Sequence, residues 1–359
     1  MNNQYSQLLQ IYRDKSKKWH SPIITNKPKS NKNFYSEKDI REFVEDSDFT
    51  SVNIKEDIMN YKYVYFVNYG NIYLYLILQD PLKSKGKRFK ITKEIKEILL
   101  TIATIQNFLE KYSKNSNKAK DLHIILIPTC YKKKLPNKPN HEIGIHECNS
   151  GVNISYGNGD KVIIIWRKEE QLKVIIHELI HYYKFDKGIK NVNLQEAYTE
   201  TMANYLYQHM KHILTNNIHN NNIHNNNDYN KLDKNLKKEQ DFSQYQTAKI
   251  IDYIYPEKWP NITPQQPIPE DLYEKMSNNT SVFGYYWCKS ALLSNIDRMK
   301  DFWDKNNYQV NEKNLQLFQD IVKESLSNET FQKNIKNWQK HLNNPPDKKW
   351  KKTLRMTII

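Results

Sequence analysis

The order of apolar patterns between residues 61 and 188 constrains the fold more than any other feature of the sequence. Two strand-like runs, YKYVYFVN and IYLYLILQ, flank a turn at Gly70 and predict a β-hairpin. A helical period with Thr92 as its N-cap comes next, and a short buried strand, LHIILIPT, follows it. Two further strands and a second helix complete the series. Helices and strands in this order predict an α+β fold.

The two further strands are expected near 151–156 and 161–166, with a turn at 157–160 between them. Helical spacing begins directly afterwards, and Gly188 is expected to end that helix. Beyond it the pattern is helical almost to the end of the chain, so a mainly helical C-terminal subdomain is expected. Its helices are predicted near 241–255, 282–302 and 315–342.

Composition and pattern together divide the chain into five segments. We expect a basic flexible arm at 1–33, a hairpin-containing region at 34–91, an α+β core at 92–210, a disordered Asn/His-rich insertion at 211–230 and a helical subdomain with a basic tail at 231–359. In the insertion N-N-I-H-N occurs twice, and so polar a tract cannot bury a core. We interpret it as a low-complexity repeat rather than as a metal site built on His219 and His224.

The cysteines and the longest apolar run limit the class of protein. Three widely spaced cysteines argue against a disulfide scaffold and for a reducing compartment. The run from Ile72 to Leu78 is far shorter than the roughly 20 residues that span a bilayer, and the N-terminal residues lack the apolar core of a signal peptide. We therefore expect an intracellular protein that does not contact membranes. Its Lys- and Asn-rich composition is typical of A+T-rich genomes, including those of large DNA viruses, where the virion is a second possible location.

The sequence His177-Glu178-Leu179-Ile180-His181 lies within the second predicted helix. Two histidines four residues apart on a helix point to the same side, so both imidazoles can reach one metal ion, and we expect zinc. Glu178 lies on the adjacent edge, where its carboxylate can take a proton from a zinc-activated water. The plain alternative is a helix whose two histidines are satisfied by neighbouring groups. The position after an apolar strand favours the metal site.

This stretch resembles the zincin metallopeptidases, whose fold places an H-E-x-x-H helix beside a sheet with an antiparallel edge strand. The resemblance covers about 92–210 and implies a catalytic zincin core. Lys184 and Lys187 stand where metzincins have Gly and His, which excludes that subgroup. Downstream, Glu196 and Glu200 resemble the gluzincin pattern, in which one glutamate is the third zinc ligand and the other holds a ligand histidine.

The choice of third ligand is open between these two glutamates, which share a helix face. We favour Glu196 as the ligand and Glu200 as its hydrogen-bonding support. Asp186 follows His181 too closely to be preferred. A further possible metal group, His141, His146 and Cys148, has no recognised zinc spacing, and we treat these as loop residues.

The resemblance also implies residues on the substrate side. A zincin holds an extended peptide against its edge strand, which would place Asn149 and Gly151 at the cleft. An oxyanion-stabilising group comes from the downstream helices in this clan, and Tyr285 and Tyr286 are the candidates, beside Gly284, which allows close approach. Both tyrosines also fit an ordinary helix-packing core.

The formal net charge of +15 is clustered in the N-terminal arm and at 83–96, 132–138 and 348–355. Such clusters attract nucleic acid or acidic proteins, although no nucleic-acid-binding motif accompanies them. The leading hypothesis is a zinc metallopeptidase acting on a peptide or protein, with one zinc ion per chain. The alternatives are a basic nucleic-acid-associated or particle-packaging protein with a vestigial zincin core, and a zinc hydrolase with a non-peptide substrate.

Overall fold

A computed structural model gives the fold as a mixture of helices and one larger sheet. It describes residues 3–22, 24–26, 34–85, 88–113, 121–137, 141–155, 161–216, 226–256, 261–268, 270 and 284–358. Contacts within the chain group it into two units: Met1–Tyr131, Asn149–Tyr183 and His209–His219 form the first, and Lys132–Cys148, Lys184–Gln208 and Asn220–Ile359 form the second. The predicted mixture of helices and strands is confirmed.

The first unit contains a six-stranded mixed sheet and a separate two-stranded ribbon. The strands are β1 (Ile24–Thr25), β2 (Tyr63–Tyr69), β3 (Ile72–Leu78), β4 (Ser84–Lys85), β5 (Arg88–Phe89), β6 (Leu122–Thr129), β7 (Gly151–Ser155) and β8 (Lys161–Arg167). The sheet order is β1-β2-β3-β6-β8-β7, and β4 pairs with β5. The two central pairings, β3 with β6 and β6 with β8, are parallel, and the others are antiparallel. The last strand in this order, β7, is therefore an antiparallel edge strand among the described residues.

The predicted hairpin and first helix form as the local sequence requires. Tyr69 pairs with Ile72 across a two-residue turn, in which Gly70 has a φ of +64°, a region that suits glycine. A helix, Lys93–Tyr112, begins after Thr92, whose hydroxyl accepts a hydrogen bond from the backbone of Ile95 at 3.2 Å. The turn predicted at 157–160 lies outside the described residues.

The helices of the described part number thirteen, apart from one π-helical turn at Gly284–Cys288. They are α1 (Asn3–Lys17), α2 (Glu37–Glu45), α3 (Val52–Met59), α4 (Lys93–Tyr112), α5 (Ile145–Cys148), α6 (Gln171–Tyr182), α7 (Val192–Asn216), α8 (Asn226–Ile254), α9 (Lys289–Ser294), α10 (Ile296–Asn306), α11 (Leu315–Ser327), α12 (Glu329–Lys340) and α13 (Lys348–Lys351). In this part of the chain, no helix is both long and apolar enough to cross a membrane.

The N-terminal segment differs from the flexible arm that was predicted, because residues 3–17 form α1. Tyr5, Leu8 and Leu9 are buried, at the i, i+3, i+4 spacing of one helix face. This face packs on α4, and the Tyr112 hydroxyl reaches Gln7 there. A short apolar stripe near the start of the arm is thus enough to form a helix, although the basic residues Arg13, Lys15 and Lys17 follow it. Residues 27–33 of the predicted arm lie outside the described residues.

The Asn/His-rich insertion also differs in extent, since helices enter it from both sides. The first six residues of 211–230 belong to α7, and the last five belong to α8. The residues between them, including His219 and His224, lie outside the described part of the chain. Asparagine does not prevent these helices from extending, because its cost within a helix is modest.

Two of the long helices predicted in the second unit are interrupted. In the 282–302 region the π-helical turn is followed by α9 and α10, with a break at Asn295, and in the 315–342 region α11 and α12 meet at Asn328. The Asn328 side chain accepts a hydrogen bond from the backbone of Phe331 at 2.9 Å and so starts a new helix. Asparagine competes with the helical backbone for hydrogen bonds, which explains why apolar periodicity continued past the actual break.

Gly188 was predicted to end the second core helix, but α6 already ends at Tyr182. Gly188 instead lies against another chain segment: a Cβ there would be 2.6 Å from the carbonyl oxygen of Val310. Its backbone N–H donates to that same oxygen at 3.1 Å. The glycine therefore serves a close backbone approach rather than a helix end.

Candidate metal centre

Helix α6 places the two histidines of the H-E-x-x-H stretch side by side. It follows β8 directly and packs on β7, β8 and α4, which buries most of its residues. His177 is buried and His181 is half-buried, and their Nε2 atoms are 3.1 Å apart. The four-residue spacing on a helix produces this juxtaposition.

Glu196 completes a group of three potential ligands. One ligand atom from each of His177, His181 and Glu196 lies within 4.8 Å of the other two. Among the described residues, this is the only group of three or more His, Cys, Asp or Glu side chains with such spacing. Glu200 is buried one helical turn further along and is not part of the group.

Asp186, the disfavoured third ligand, has other partners. It is 2% exposed, and one of its carboxylate oxygens accepts hydrogen bonds from the Gln195 amide at 2.7 Å and the Thr199 hydroxyl at 3.4 Å. These contacts join the loop after α6 to the first turns of α7. Asp186 therefore helps to fix the start of the helix that carries Glu196.

The donor set suits zinc, which binds imidazole nitrogens and carboxylate oxygens. With Zn–N distances of about 2.0–2.1 Å, two nitrogen ligands of one tetrahedral ion lie about 3.3 Å apart. The 3.1 Å between the two Nε2 atoms is close to that separation. A hydrogen bond from one neutral imidazole to the other would give a similar distance. The nearby Glu196 oxygen is what favours a cation, because a carboxylate adds negative charge to a group that already holds two nitrogen donors.

Glu178 is buried, and it lies against the edge strand. A Cβ on Gly151, the first residue of β7, would be 3.1 Å from the Glu178 Oε1 atom. The Asn153 amide, two residues along the strand, is 3.5 Å from the backbone carbonyl oxygen of Glu178. The absence of a side chain at Gly151 thus leaves room for this carboxylate. Asn153 was not identified from the sequence, since a single polar residue in a strand carries no signal of its partner.

A Gly151→Ala substitution is expected to lower the free energy of unfolding by about 1–3 kcal/mol, because neighbouring side chains already fill the space next to the Gly151 Cα. The added Cβ would lie 2.7 Å from Val174 Cγ1 and 2.8 Å from Ile165 Cδ1, both too close. Urea denaturation of the two proteins measures the difference. Gly144→Ala is the matched control, since its Cβ would meet only Glu147 Oε2, at an ordinary 3.6 Å. Equal stability of both variants would contradict the close packing around Glu178.

The residues predicted to contact the substrate differ in their burial and in the hydrogen bonds that they already form. The Asn149 carbonyl oxygen, two residues before β7, accepts a hydrogen bond from Arg167 Nε at the end of β8 at 2.7 Å. Tyr286 is buried, and its hydroxyl donates to the carbonyl oxygen of Leu354, whereas Tyr285 is half-buried. Tyr285 is therefore the first of the two tyrosines to test. The roles predicted for these residues remain predictions.

Gly284, which was expected to allow close approach at the cleft, lies against the backbone of Asn193. A Cβ there would lie 1.9 Å from the carbonyl oxygen of Asn193, so only glycine fits at this contact. His146 and Cys148, expected to be loop residues, lie in the short helix α5, and the Cys148 thiol donates to the carbonyl oxygen of Gly144 at 3.0 Å. Cys148 with His141 and His146 does not form a metal-ligand group in the described residues.

Comparison of the chain with protein-family models, with curated proteins and with solved structures gave no match. The chemistry of the side chains at the site is thus the basis for assigning a function. Two imidazoles and a carboxylate are brought together, and a second, buried carboxylate lies next to His177 in the sequence.

Proposed function

We propose that the protein is a zinc-dependent metallopeptidase of the gluzincin type. The observation that carries the proposal is the His177, His181 and Glu196 group, with Glu178 on the same helix as the two histidines. A purely structural metal site commonly has four protein ligands, whereas three leave a position open for chemistry. The proposal therefore favours catalysis over a structural role.

The three ligands would hold one zinc ion through two ring nitrogens and a carboxylate oxygen. When bound, zinc supplies Lewis acidity and lowers the pKa of water. The burial of His177 and the packing of α6 on the sheet hold the ligand rings in place, so little ordering cost remains when a metal binds. Glu200 would support the site by holding a ligand histidine from the same helix face as Glu196.

Glu178 would act as the general base. Its carboxylate would accept a proton from the attacking water and later pass it to the nitrogen of the leaving amine. Gly151 and Asn153 keep this residue against β7. Such restraint favours proton transfer, because a general base must lie within hydrogen-bond reach of the proton it abstracts.

The edge strand supports a peptide as the substrate class. Among the described residues β7 pairs only with β8, so its other side can add an extended chain by main-chain hydrogen bonds. Gly151 and Asn149 lie at the start of this strand and would contact the peptide near Glu178. Of the two tyrosines, Tyr285 would stabilise the developing oxyanion, because Tyr286 is buried and donates its hydroxyl to the carbonyl oxygen of Leu354.

Metal content tests the ligand set. The wild-type protein is expected to hold about one zinc ion per chain, Glu196→Ala is expected to lose it, and Glu200→Ala is expected to keep most of it. The reason is that losing a ligand removes a bond to the metal, whereas losing a supporting group costs only 10–100-fold in affinity. Inductively coupled plasma mass spectrometry on dialysed protein gives the stoichiometry, and circular dichroism shows that each variant is folded.

Loss of zinc from Glu200→Ala alone would identify Glu200, four residues along α7, as the third ligand. The proposed function would not change. No zinc in the wild type, even after reconstitution, would contradict the proposed function. That result would favour the basic binding protein instead, whose lysines at 348, 349, 351 and 352 are exposed.

A further inference from the structure

Residues 350–358 lie in the second unit as a largely buried segment, which is irregular after the end of α13 at Lys351. After α13 the chain has no helix or strand, yet Thr353, Leu354, Met356 and Thr357 are all buried. Buried backbone without regular structure must find hydrogen bonds elsewhere. In this segment, side chains from distant helices supply many of them.

The carbonyl oxygens of the segment are held by buried cationic and polar side chains. Lys249 on α8 donates to the carbonyl oxygens of Trp350, at 2.9 Å, and Thr353. Lys289 on α9 donates to that of Met356 at 2.5 Å, and Asn204 on α7 reaches the same oxygen at 3.3 Å. The Tyr286 hydroxyl holds the carbonyl oxygen of Leu354. Four residues of the segment are thus recognised through atoms that every peptide has.

Two N–H groups of the segment also have partners, one on the backbone and one on a side chain. The Leu354 N–H donates to the carbonyl oxygen of Lys133 at 2.9 Å, and the Ile358 N–H donates to Glu239 Oε2 at 2.9 Å. The same oxygen accepts a hydrogen bond from the Thr357 hydroxyl at 2.8 Å, and Glu239 forms an ion pair with Lys289 at 3.8 Å. Side-chain packing also contributes: Leu354 and Met356 are buried, and Trp350 and Ile358 pack in an apolar cluster with Phe242 and Tyr245.

The buried charged side chains that contact the segment depend on its main chain for hydrogen bonds. Lys249 is only 8% exposed, and burial lowers the pKa of its ammonium group to about 7. Lys289 and Glu239 are 1% and 0% exposed. Buried charges are costly unless they are paired and hydrogen-bonded, and much of that bonding comes from the segment's main chain. An empty groove would leave the Lys249 ammonium group without these two acceptors.

We propose that Asn204, Glu239, Lys249, Tyr286 and Lys289 form a binding groove for an extended peptide main chain, and that residues 350–358 occupy it as a tethered ligand. The partner that fits is a peptide with apolar side chains at the positions of Trp350, Leu354, Met356 and Ile358. A linker keeps the resident segment at high effective concentration. This inference does not rest on the proposed peptidase function.

Peptide exchange tests the proposal. A protease recognition sequence placed in the exposed 343–346 loop of the full chain allows the segment to be cut from the rest of the protein. We expect the cut peptide to remain bound and to exchange with a fluorescent peptide of residues 347–359, as measured by anisotropy. Peptides N-methylated at Leu354 or Ile358 lose one N–H donor and are expected to bind about tenfold more weakly or worse. The Arg355→Ala peptide, which keeps every main-chain group, is the matched control and is expected to bind unchanged.

Equal binding of the N-methylated and unmodified peptides would overturn main-chain recognition, and so would a failure to exchange while the cut protein stays folded. If the cut protein unfolds, amide hydrogen exchange on the uncut chain tests instead whether the segment opens separately from the rest of the protein. Lys249→Met is then expected to speed exchange at residues 353–358 at least tenfold while β6 is unaffected. Acceleration of β6 to the same extent would show that the segment does not open separately and would also overturn the proposal.

Discussion

Glu178→Gln is expected to reduce peptide hydrolysis by about 10²- to 10⁴-fold while leaving the zinc content of the protein unchanged. The substitution keeps the size of a side chain that is 6% exposed, so the packing of α6 on β7 is retained. It removes the carboxylate that would accept the proton from water. Cleavage of a mixed peptide library, followed by mass spectrometry, measures the turnover on many peptide sequences at once.

The matched comparison for this variant is Glu170→Gln, which changes another buried glutamate at the N-terminal end of the same helix. Because Glu170 is not part of the metal-ligand group, its replacement is expected to leave turnover within a fewfold of the wild type. Full activity in Glu178→Gln would rule out Glu178 as the base. Loss of zinc from it would instead indicate that the carboxylate supports metal binding.

Lys289→Met is expected to lower the free energy of unfolding by about 3–5 kcal/mol, because it leaves the Glu239 carboxylate buried without its counter-ion. The two side chains are 2% and 0% exposed, and their charged atoms are 3.8 Å apart. Hydrogen bonds from Gln208, Thr357 and Ile358 remain on Glu239, which places the expected loss at the lower end of that range. Urea denaturation measures it.

Lys93→Met is the control for this loss, since its ion pair with Glu97 has a similar distance, 3.7 Å, but side chains that are 71% and 30% exposed. It is expected to cost less than about 1 kcal/mol. In the double variant Glu239→Gln/Lys289→Met no unpaired charge is left, so its stability should exceed that expected from adding the two single losses. Simple additivity would contradict coupling between the two charges.

The elements that the sequence predicted well are those decided by neighbouring residues. The hairpin depends on Gly70, the start of α4 on Thr92, and β6 on one continuous apolar run, and each lies within a few residues of its predicted position. The placement of the two histidines is also decided by neighbouring residues. Their four-residue spacing is enough to bring the imidazoles to one side of any helix.

Other features depended on groups far apart in the chain. Lys249 follows Phe242 and Tyr245 on the buried face of α8, a pattern that hints at burial, but the carbonyl oxygens that accept its hydrogen bonds lie about 100 residues away. The break at Asn328 and the order of α1 were missed although both leave local signals. At Asn328 the apolar periodicity continues across the polar residue that starts a new helix, and in α1 a short apolar stripe precedes a basic stretch.

The sequence by itself determined the mixture of helices and strands, the helix that carries His177 and His181, and the presence of Glu178 beside them. These follow from hydrogen bonds and side-chain periods that act over a few residues. Only the tertiary structure decided that Glu196, rather than Glu200, lies with the histidines, and that Gly151 lies against Glu178. Residues four apart on a helix share a face, so the choice between the two glutamates depends on how the helix packs, which local periodicity does not specify.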